Sequence, residues 1–506
     1  ERRPRGRRPP GTEPLRLPTQ EPRTLDPRLS GGFLNAPLFS ALLELTPDLE
    51  IVPGVARSWE ILDGGRRYVF HLRDDVRWSD GVPVTAADFV PGCERAPHPT
   101  NVPCFTNIQL GGSSAAGRGD SIVGQPALHA WAQDATTLII ELETPSAYLL
   151  QALACGAFPL PRHVIEIHGE AGLAPENVVT CGPYRIESWQ HGVGAILVRD
   201  PAYYGQFTGN VDRVEVPFLS IQEWPRALEM YEAGALDQLD PSPLPGPTLI
   251  REWPRHRAEI VFLPSTITFY YGFRVDRPPL DDIQVRRALS IATDPQEIMR
   301  MTGGLKPATG GFLPPGMPGH SPGLNLPYDP RLARELLSQA GYPGGRGLGT
   351  LKVLLLGYPI TCVFYQEMQH KHWAEGLGLD LDWELLDWDE YQLRLASDPP
   401  DIFVGYWGPH YHDPDSFLRV GVPWRAMGWQ SDAYRRLIAE AGHITDPERR
   451  MALYRQADRM LIEDAVLVPV EYGQIYAFLL KPWVKRFPTA PPYRAWMLQD
   501  VVIDRH

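Results

Sequence analysis

The chain has almost no lysine. Of its 48 basic residues only Lys306, Lys352, Lys371, Lys481 and Lys485 are lysine. With 53 prolines, that bias fits a GC-rich coding sequence better than any functional surface. Positive charge is also lacking overall. A formal net charge of −13 leaves no basic face for a phosphate backbone, so nucleic acid is not an expected partner. No apolar run approaches the ~20 residues of a membrane-spanning helix. There is no C-x-x-C, which removes support for dithiol redox chemistry or a zinc ribbon. Catalytic signatures are missing as well: neither a G-x-S-x-G elbow nor a G-x-x-x-x-G-K-[ST] phosphate loop occurs. His163 to His168 reads H-V-I-E-I-H rather than H-E-x-x-H, and Gly344 to Gly349 lacks the G-x-G-x-x-G spacing. Acidic residues are abundant, but no pair stands out as a glycosidase dyad. The expectation is a protein that is not an enzyme and carries no cofactor.

What is present begins with size. At 506 residues the chain exceeds one hydrophobic core and suggests about three structural units. Hydrophobic content of 43% and charged content of 22% belong to an ordinary soluble globular protein. Residues 1–11 are basic and proline-rich, with Pro9, Pro10 and Gly11 where a signal peptide would place its apolar segment. They read as a tether, left by removal of a leader or by excision from a longer protein. Five cysteines leave at least one unpaired. Cys93 and Cys104 bracket a loop, and Cys155 and Cys181 flank a helix. Both pairs suit disulfides in an oxidising compartment, with buried thiols as the other reading.

Three helices are expected to start at Asp294-Pro295, Asp329-Pro330 and Asp446-Pro447, where Asp caps and Pro occupies the first helical position. In the second, Leu332, Leu336 and Leu337 form the apolar stripe and Gly341 the left-handed stop. In the third, Tyr454, Ala457 and Leu461 share one face. Strands are expected over 138–142, 196–199, 351–356 and 401–406. Alternating helices and strands give an α/β fold.

The most distinctive stretch runs from Val52 to Phe89. Asp63-Gly64-Gly65 forms a hairpin turn, and Tyr68, Phe70 and Leu72 alternate on the strand that follows. Ser79-Asp80-Gly81 makes a second turn, and Thr85 caps a helix with Asp88 three residues on. This stretch resembles the signature of the family 5 extracytoplasmic solute-binding proteins, the peptide, dipeptide and nickel receptors of ABC importers. Further segments carry the same resemblance: E-P-R-T-L-D-P (Glu21 to Pro27), T-C-G-P-Y (Thr180 to Tyr184), R-P-P-L-D-D-I-Q-V-R-R-A-L (Arg277 to Leu289) and V-P-V-E-Y…K-P-W-V (Val468 to Val484).

The resemblance implies a two-lobed periplasmic-binding-protein fold of class II with an inserted subdomain. Residues 12–46, 165–263 and 478–506 form lobe I, 47–164 the insert and 264–477 lobe II, with hinges at Leu263 and Ala477. It places Gly405, Tyr406 and Trp407 on a strand edge facing the cleft, where peptide-binding members pair with the ligand's main chain. Those members commonly carry an Asp three residues after this Trp, which pairs with the ligand's α-ammonium; here the position is His410. Either another acid, Asp413 or Asp415, replaces it, or the ligand has no amine there. Leu34, Asn35, Tyr270, Tyr271, Trp388 and Tyr472 are further cleft candidates, and Trp424 a pocket candidate. His410 with His412, or His370 with His372, is weighed as half of a metal site, without assigning a metal. The implied function is capture of a peptide-like or other small organic solute, with delivery to the membrane subunits of an ABC importer, by a periplasmic or cell-surface monomer. A cytoplasmic ligand-sensing domain of a larger regulator and a metal or metal-chelate binder are the alternatives. A metal-dependent hydrolase is the remaining one.

Overall fold

The computed structural model describes residues 13–22, 24–27, 34–46, 49–94, 128–241, 244, 255–263, 266–302, 306–356, 361–409, 411–473, 476–488 and 497–504. The hairpin forms where its turn chemistry demands. Asp63, Gly64 and Gly65 all take positive φ (52°, 64° and 90°) and reverse strand Ala56–Leu62 onto Arg67–Leu72. Tyr68, Phe70 and Leu72 face the core. Strands Thr137–Leu142 and Leu128–Ala132 complete an antiparallel sheet of four. The cap also forms: Asp88 Oδ2 accepts from the Thr85 backbone N–H at 2.8 Å, ahead of helix Ala86–Glu94.

A second four-stranded sheet joins Leu15–Arg16, Arg213–Pro217, Gly194–Arg199 and Tyr184–Gln190. One apolar core runs under both sheets and includes Leu15, Phe70, Trp78, Leu197 and Val501. The T-C-G-P-Y element is fixed by contact: Cys181 and Gly182 both donate backbone N–H to the Leu38 carbonyl. A Cβ on Gly182 would lie 2.6 Å from that backbone. Of the two readings left open for Cys155 and Cys181, disulfide or free thiols, the structure has the second. Both thiols are free, because Cys181 is buried in this core while Cys155 packs on a separate cluster with Tyr148 and Tyr411. Cys104, and the side chain of Cys93, lie outside the described residues.

A three-stranded sheet then pairs Tyr476–Leu480 with Gln238–Leu239 on one side and Ile260–Leu263 on the other. Beyond it the chain enters a six-stranded sheet at Ile267 and leaves it at Gly473. The spatial order there is Lys306–Pro307, Leu467–Gly473, Ile267–Phe273, Ile402–Trp407, Thr350–Leu356 and Asp380–Leu386. The last three strands run parallel to one another and the rest of the sheet pairs antiparallel. Separate apolar clusters cover its two faces, one around Val353, Leu355 and Trp373, the other around Leu354, Phe403, Tyr434 and Leu461.

All three Asp-Pro helices are present, as Pro295–Thr302, Pro330–Gln339 and Pro447–Glu463. Gly341 takes φ 94° just past the second. The stripe of that helix is corrected. Leu332 is 41% exposed, and Ala333 with Leu337 forms the buried face. Small Ala333 lets the backbone approach helix Ile283–Ala292, so the helix turns its smaller side inward.

Candidate functional site

The parallel part of the six-stranded sheet contains a crossover reversal. Helix Thr361–Gln369 follows strand Thr350–Leu356 and packs on the Val353 face through Tyr365 and Met368. Helix Trp388–Ser397 precedes strand Ile402–Trp407 and packs on the Leu354 face through Tyr391. The chain thus leaves Thr350–Leu356 toward one edge and returns on its other side, with its helices on opposite faces. The crevice beyond the carboxyl ends of two such strands is where open α/β sheets hold ligands. Here those ends are Leu356 and Trp407.

Strand Ile402–Trp407 outruns its parallel neighbour. Thr350–Leu356 pairs with it only at Ile402 and Phe403, and the Tyr391 hydroxyl donates to the Val404 carbonyl at 2.7 Å. Gly405, Tyr406 and Trp407 extend past that pairing while still bonded to Tyr270, Phe269 and Thr268 on the other side. The structure therefore brings these three expected residues to a strand end at the reversal point.

Side chains alternate across this end, and the two faces differ. One cross-strand row is Trp407, Thr268 and Tyr472. Each member fastens a covering loop: Trp407 Nε1–H donates to the Ser416 carbonyl at 2.8 Å, Thr268 Oγ1–H to Phe312 at 2.9 Å and the Tyr472 hydroxyl to Gly311 at 2.9 Å. The other row is Tyr406, Phe269 and Glu471. The Tyr406 and Phe269 rings lie 5.4 Å apart and both are half-buried. Behind them Glu471 is wholly buried. Its Oε2 accepts from the Tyr365 hydroxyl at 2.9 Å, and its Oε1 has no hydrogen-bond partner among the described residues. Burial pushes this carboxyl up to about 8, with the Tyr365 hydrogen bond a weaker opposing effect.

Several sequence candidates are placed differently from expectation. Tyr270 is buried edge-on between Phe312 and Phe403, and Tyr271 packs against Trp373 on the opposite face; both serve the core. Tyr472 is buried and engaged in loop anchoring, as above. Leu34 belongs to the apolar core under the two four-stranded sheets, beside Leu17, Pro37 and Leu197. Asn35 is buried at the start of the short helix Asn35–Leu38. Asp413 is not a free acid. Arg450 holds both its oxygens, at 2.6 and 2.7 Å, and both residues are buried. Asp415 is likewise closed by Arg419 and by the Tyr411 and Tyr454 hydroxyls. His410 and the side chains of Trp388 and Trp424 lie outside the described residues. Burial lowers the His412 imidazole to about 4. His370 stands against Glu375, while His372 is buried and accepts from the Asp294 N–H, so the two do not converge. Among the described residues no group of three or more His, Cys, Asp or Glu is placed to hold a metal ion.

Sequence reasoning missed Phe269 and Glu471. A signal existed for the acid: in L-V-P-V-E-Y-G it is the one charged residue of a strand buried throughout. Phe269 sits in the aromatic run I-T-F-Y-Y-G-F, where composition does not tell the half-exposed ring from the buried ones.

The sequence profile of the bacterial extracellular solute-binding proteins, family 5 (middle), matches residues 50–425. The chain is 30% identical to a probable deoxycholate-binding periplasmic protein of Escherichia coli, over 96% of this chain and 92% of that one. It is 28% identical to the periplasmic oligopeptide-binding protein of the same organism, over 96% and 91%. The solved structure of the Escherichia coli murein tripeptide-binding protein superposes with a TM-score of 0.74 at 25% identity, covering 97% of this chain and 98% of that one.

Proposed function

This chain belongs to the family 5 bacterial extracellular solute-binding proteins, and from that membership we propose that it captures a peptide-like solute and delivers it to an ABC importer. Family members are binding proteins, and the two-lobed α/β fold is theirs. The observation that carries the reading is the strand end Gly405–Trp407, which runs past its parallel neighbour at the reversal point of the sheet. An extended ligand gains main-chain hydrogen bonds on such an edge without needing any particular side chain.

The lobes we assign are 12–46 with 165–263 and 478–506, carrying the insert 47–164, and 264–477. The two crossings support this division because they run side by side: Phe262 pairs with Ala477 and Leu263 with Tyr476 in one small sheet. Paired crossings bend together, as closure about a hinge requires. The site of action is extracytoplasmic, in keeping with the periplasmic relatives.

One observation favours a second reading, a small organic solute without a free amine. Asp413 and Asp415, the acids nearest in sequence to His410, are both consumed by arginines. The relative named for deoxycholate, a carboxylic acid with no amine, fits that reading. Purification without denaturation, followed by mass spectrometry of released small molecules, separates the two. Release of short peptides supports the first reading, and release of an amine-free acid supports the second. An empty protein whose melting temperature no peptide or bile acid raises would overturn the receptor assignment, since any ligand of the folded state stabilises it.

A further inference from the structure

Glu471 is a buried acid with no evident structural employment. One oxygen takes the Tyr365 hydroxyl and the other has no hydrogen-bond partner among the described residues. An unsatisfied buried polar group costs about 1–3 kcal/mol, so retaining one calls for a use. Among the described residues no cation faces it. Its own strand contributes the apolar Val468 and Val470, the paired strand Ile267–Phe273 contributes Phe269, and the helix above contributes Tyr365; on the other side the backbone of Pro307 pairs with Glu471, the side chains of Lys306 and Pro307 lying outside the described residues. The charged groups on and beside helix Pro295–Thr302, which also packs on this strand, are paired among themselves: Asp294 and Glu297 with Arg300, and Glu297 with Lys371. Tyr365 is thus the one titratable side chain among the described residues in contact with the carboxyl. In front of it stand the half-buried rings of Phe269 and Tyr406, at the strand end just assigned to the ligand.

We propose that Glu471, walled by Phe269 and Tyr365 with Tyr406 next along the same cross-strand row, is the anionic end of a subsite for the primary ammonium of a short peptide-like solute. The inference rests on the peptide-like reading above, and it supplies the acid that neither His410 nor the arginine-bound Asp413 and Asp415 provides. At rest the carboxyl is kept mostly protonated by its burial. An arriving ammonium supplies the missing countercharge. The carboxyl then gives its proton to solvent, the ligand keeps its own charge, and an N–H of the ligand donates to Oε1 while the ring faces add cation–π attraction.

The test is titration calorimetry of the full chain with trialanine and N-acetyl-trialanine at pH 7, in two buffers of different ionisation enthalpy. The wild type is expected to prefer the free amine by about tenfold or more and to release close to one proton per peptide bound. Glu471→Gln keeps the acceptor for Tyr365 and removes the charge, so both the preference and the proton release should vanish. Glu471→Asp keeps a charge set one methylene back and should retain part of the preference, which separates loss of charge from damage to the fold. A preference that survives in Glu471→Gln, or peptide binding by the wild type without preference, overturns the inference and leaves the receptor reading standing. No binding of either peptide to the wild type overturns the peptide reading, and the inference falls with it.

Discussion

The carboxylate of Asp413 meets both terminal nitrogens of Arg450, and the same guanidinium donates through Nε to the Ala441 carbonyl at 3.0 Å. Removing one member of such a buried pair leaves the other charge unanswered, which costs about 3–5 kcal/mol. Asp413→Asn is therefore expected to lower stability on that scale in urea unfolding. A protein that unfolds at nearly the wild-type midpoint but binds ligand poorly would return Asp413 to the cleft. Two other buried acids set the response to pH. Burial raises Asp458 to about 7 and Glu471 to about 8, from ordinary values of 3.8 and 4.5. Each binds its proton more tightly folded than unfolded, so the folded state holds more protons between about pH 4 and 8. Stability from these groups is fully present on the acid side of that window and is lost as pH rises through it. Melting temperatures from pH 5 to 9 should fall less in Asp458→Asn combined with Glu471→Gln than in the wild type. Parallel curves for the two proteins would show that neither group titrates as described. The sequence shows where an acid lies along the chain; whether an arginine four or thirty-seven positions away reaches it is decided by tertiary packing, which is why Asp413, expected at the cleft, is held by Arg450 while Glu471, not singled out, is left without a cationic partner among the described residues.

At the scale of elements, caps and turns are the legible features because their chemistry is local. Asp329 accepts from the Arg331 and Leu332 N–H groups at 3.0 and 2.9 Å, closing the first turn as its place before Pro330 implies. Asp329→Ala should cost about 1 kcal/mol, seen as a shifted denaturation midpoint with an unchanged slope. What a periodic pattern leaves open is rotation about the helix axis, and so Leu332 faces solvent while Ala333 faces its neighbour. Strands carry the same ambiguity between faces. Gly405 and Tyr270 are direct cross-strand partners, yet the tyrosine lies over the glycine on the core side rather than beside it in a cleft. A Cβ at position 405 would sit 2.7 Å from the Tyr270 ring, which Phe312 and Phe403 hold edge-on. Gly405→Ala is therefore expected to destabilise the protein by about 1–3 kcal/mol through overpacking, and Tyr270→Leu in the same chain should relieve part of that loss. Additive losses in the double variant would mean that the ring is not the obstacle.

For the whole molecule, the paired crossings at Leu263 and Ala477 are not the only join between the proposed lobes. The segment Pro145–Tyr148, in the insert of the first lobe, reaches the second. Ala147 N–H donates to the Gly442 carbonyl at 3.1 Å, and His443 Nδ1 lies 2.8 Å from the Pro145 carbonyl, so that nitrogen carries the proton. Tyr148 stacks on Tyr411 at 5.4 Å, and the Arg419 guanidinium lies 5.1 Å from the Tyr148 ring. Tyr411 directly follows the Gly405–His410 segment, and its hydroxyl binds the same Asp415 that Arg419 holds. This contact ties the mounting of the proposed ligand edge to the position of the other proposed lobe. Under hinge closure it exists only when the lobes are together, so it sets how much of the unliganded protein is already closed, and a ligand needing the closed form binds in proportion to that fraction. An aromatic pair of this kind is worth about 0.5–1.5 kcal/mol, which corresponds to a two- to tenfold change in affinity. Tyr148→Ala should weaken every ligand by that common factor, mainly through faster dissociation, and should enlarge the unliganded radius of gyration in small-angle scattering. The Tyr148 ring packs in a separate small cluster with Ala152 and Tyr411 rather than in the apolar core that holds Tyr68, Phe70 and Leu72, so the substitution leaves that core intact. Unequal losses between ligands would instead place Tyr148 in direct contact with them, and an unchanged radius with unchanged affinity would mean that the two tyrosines stay together whether the cleft is open or shut.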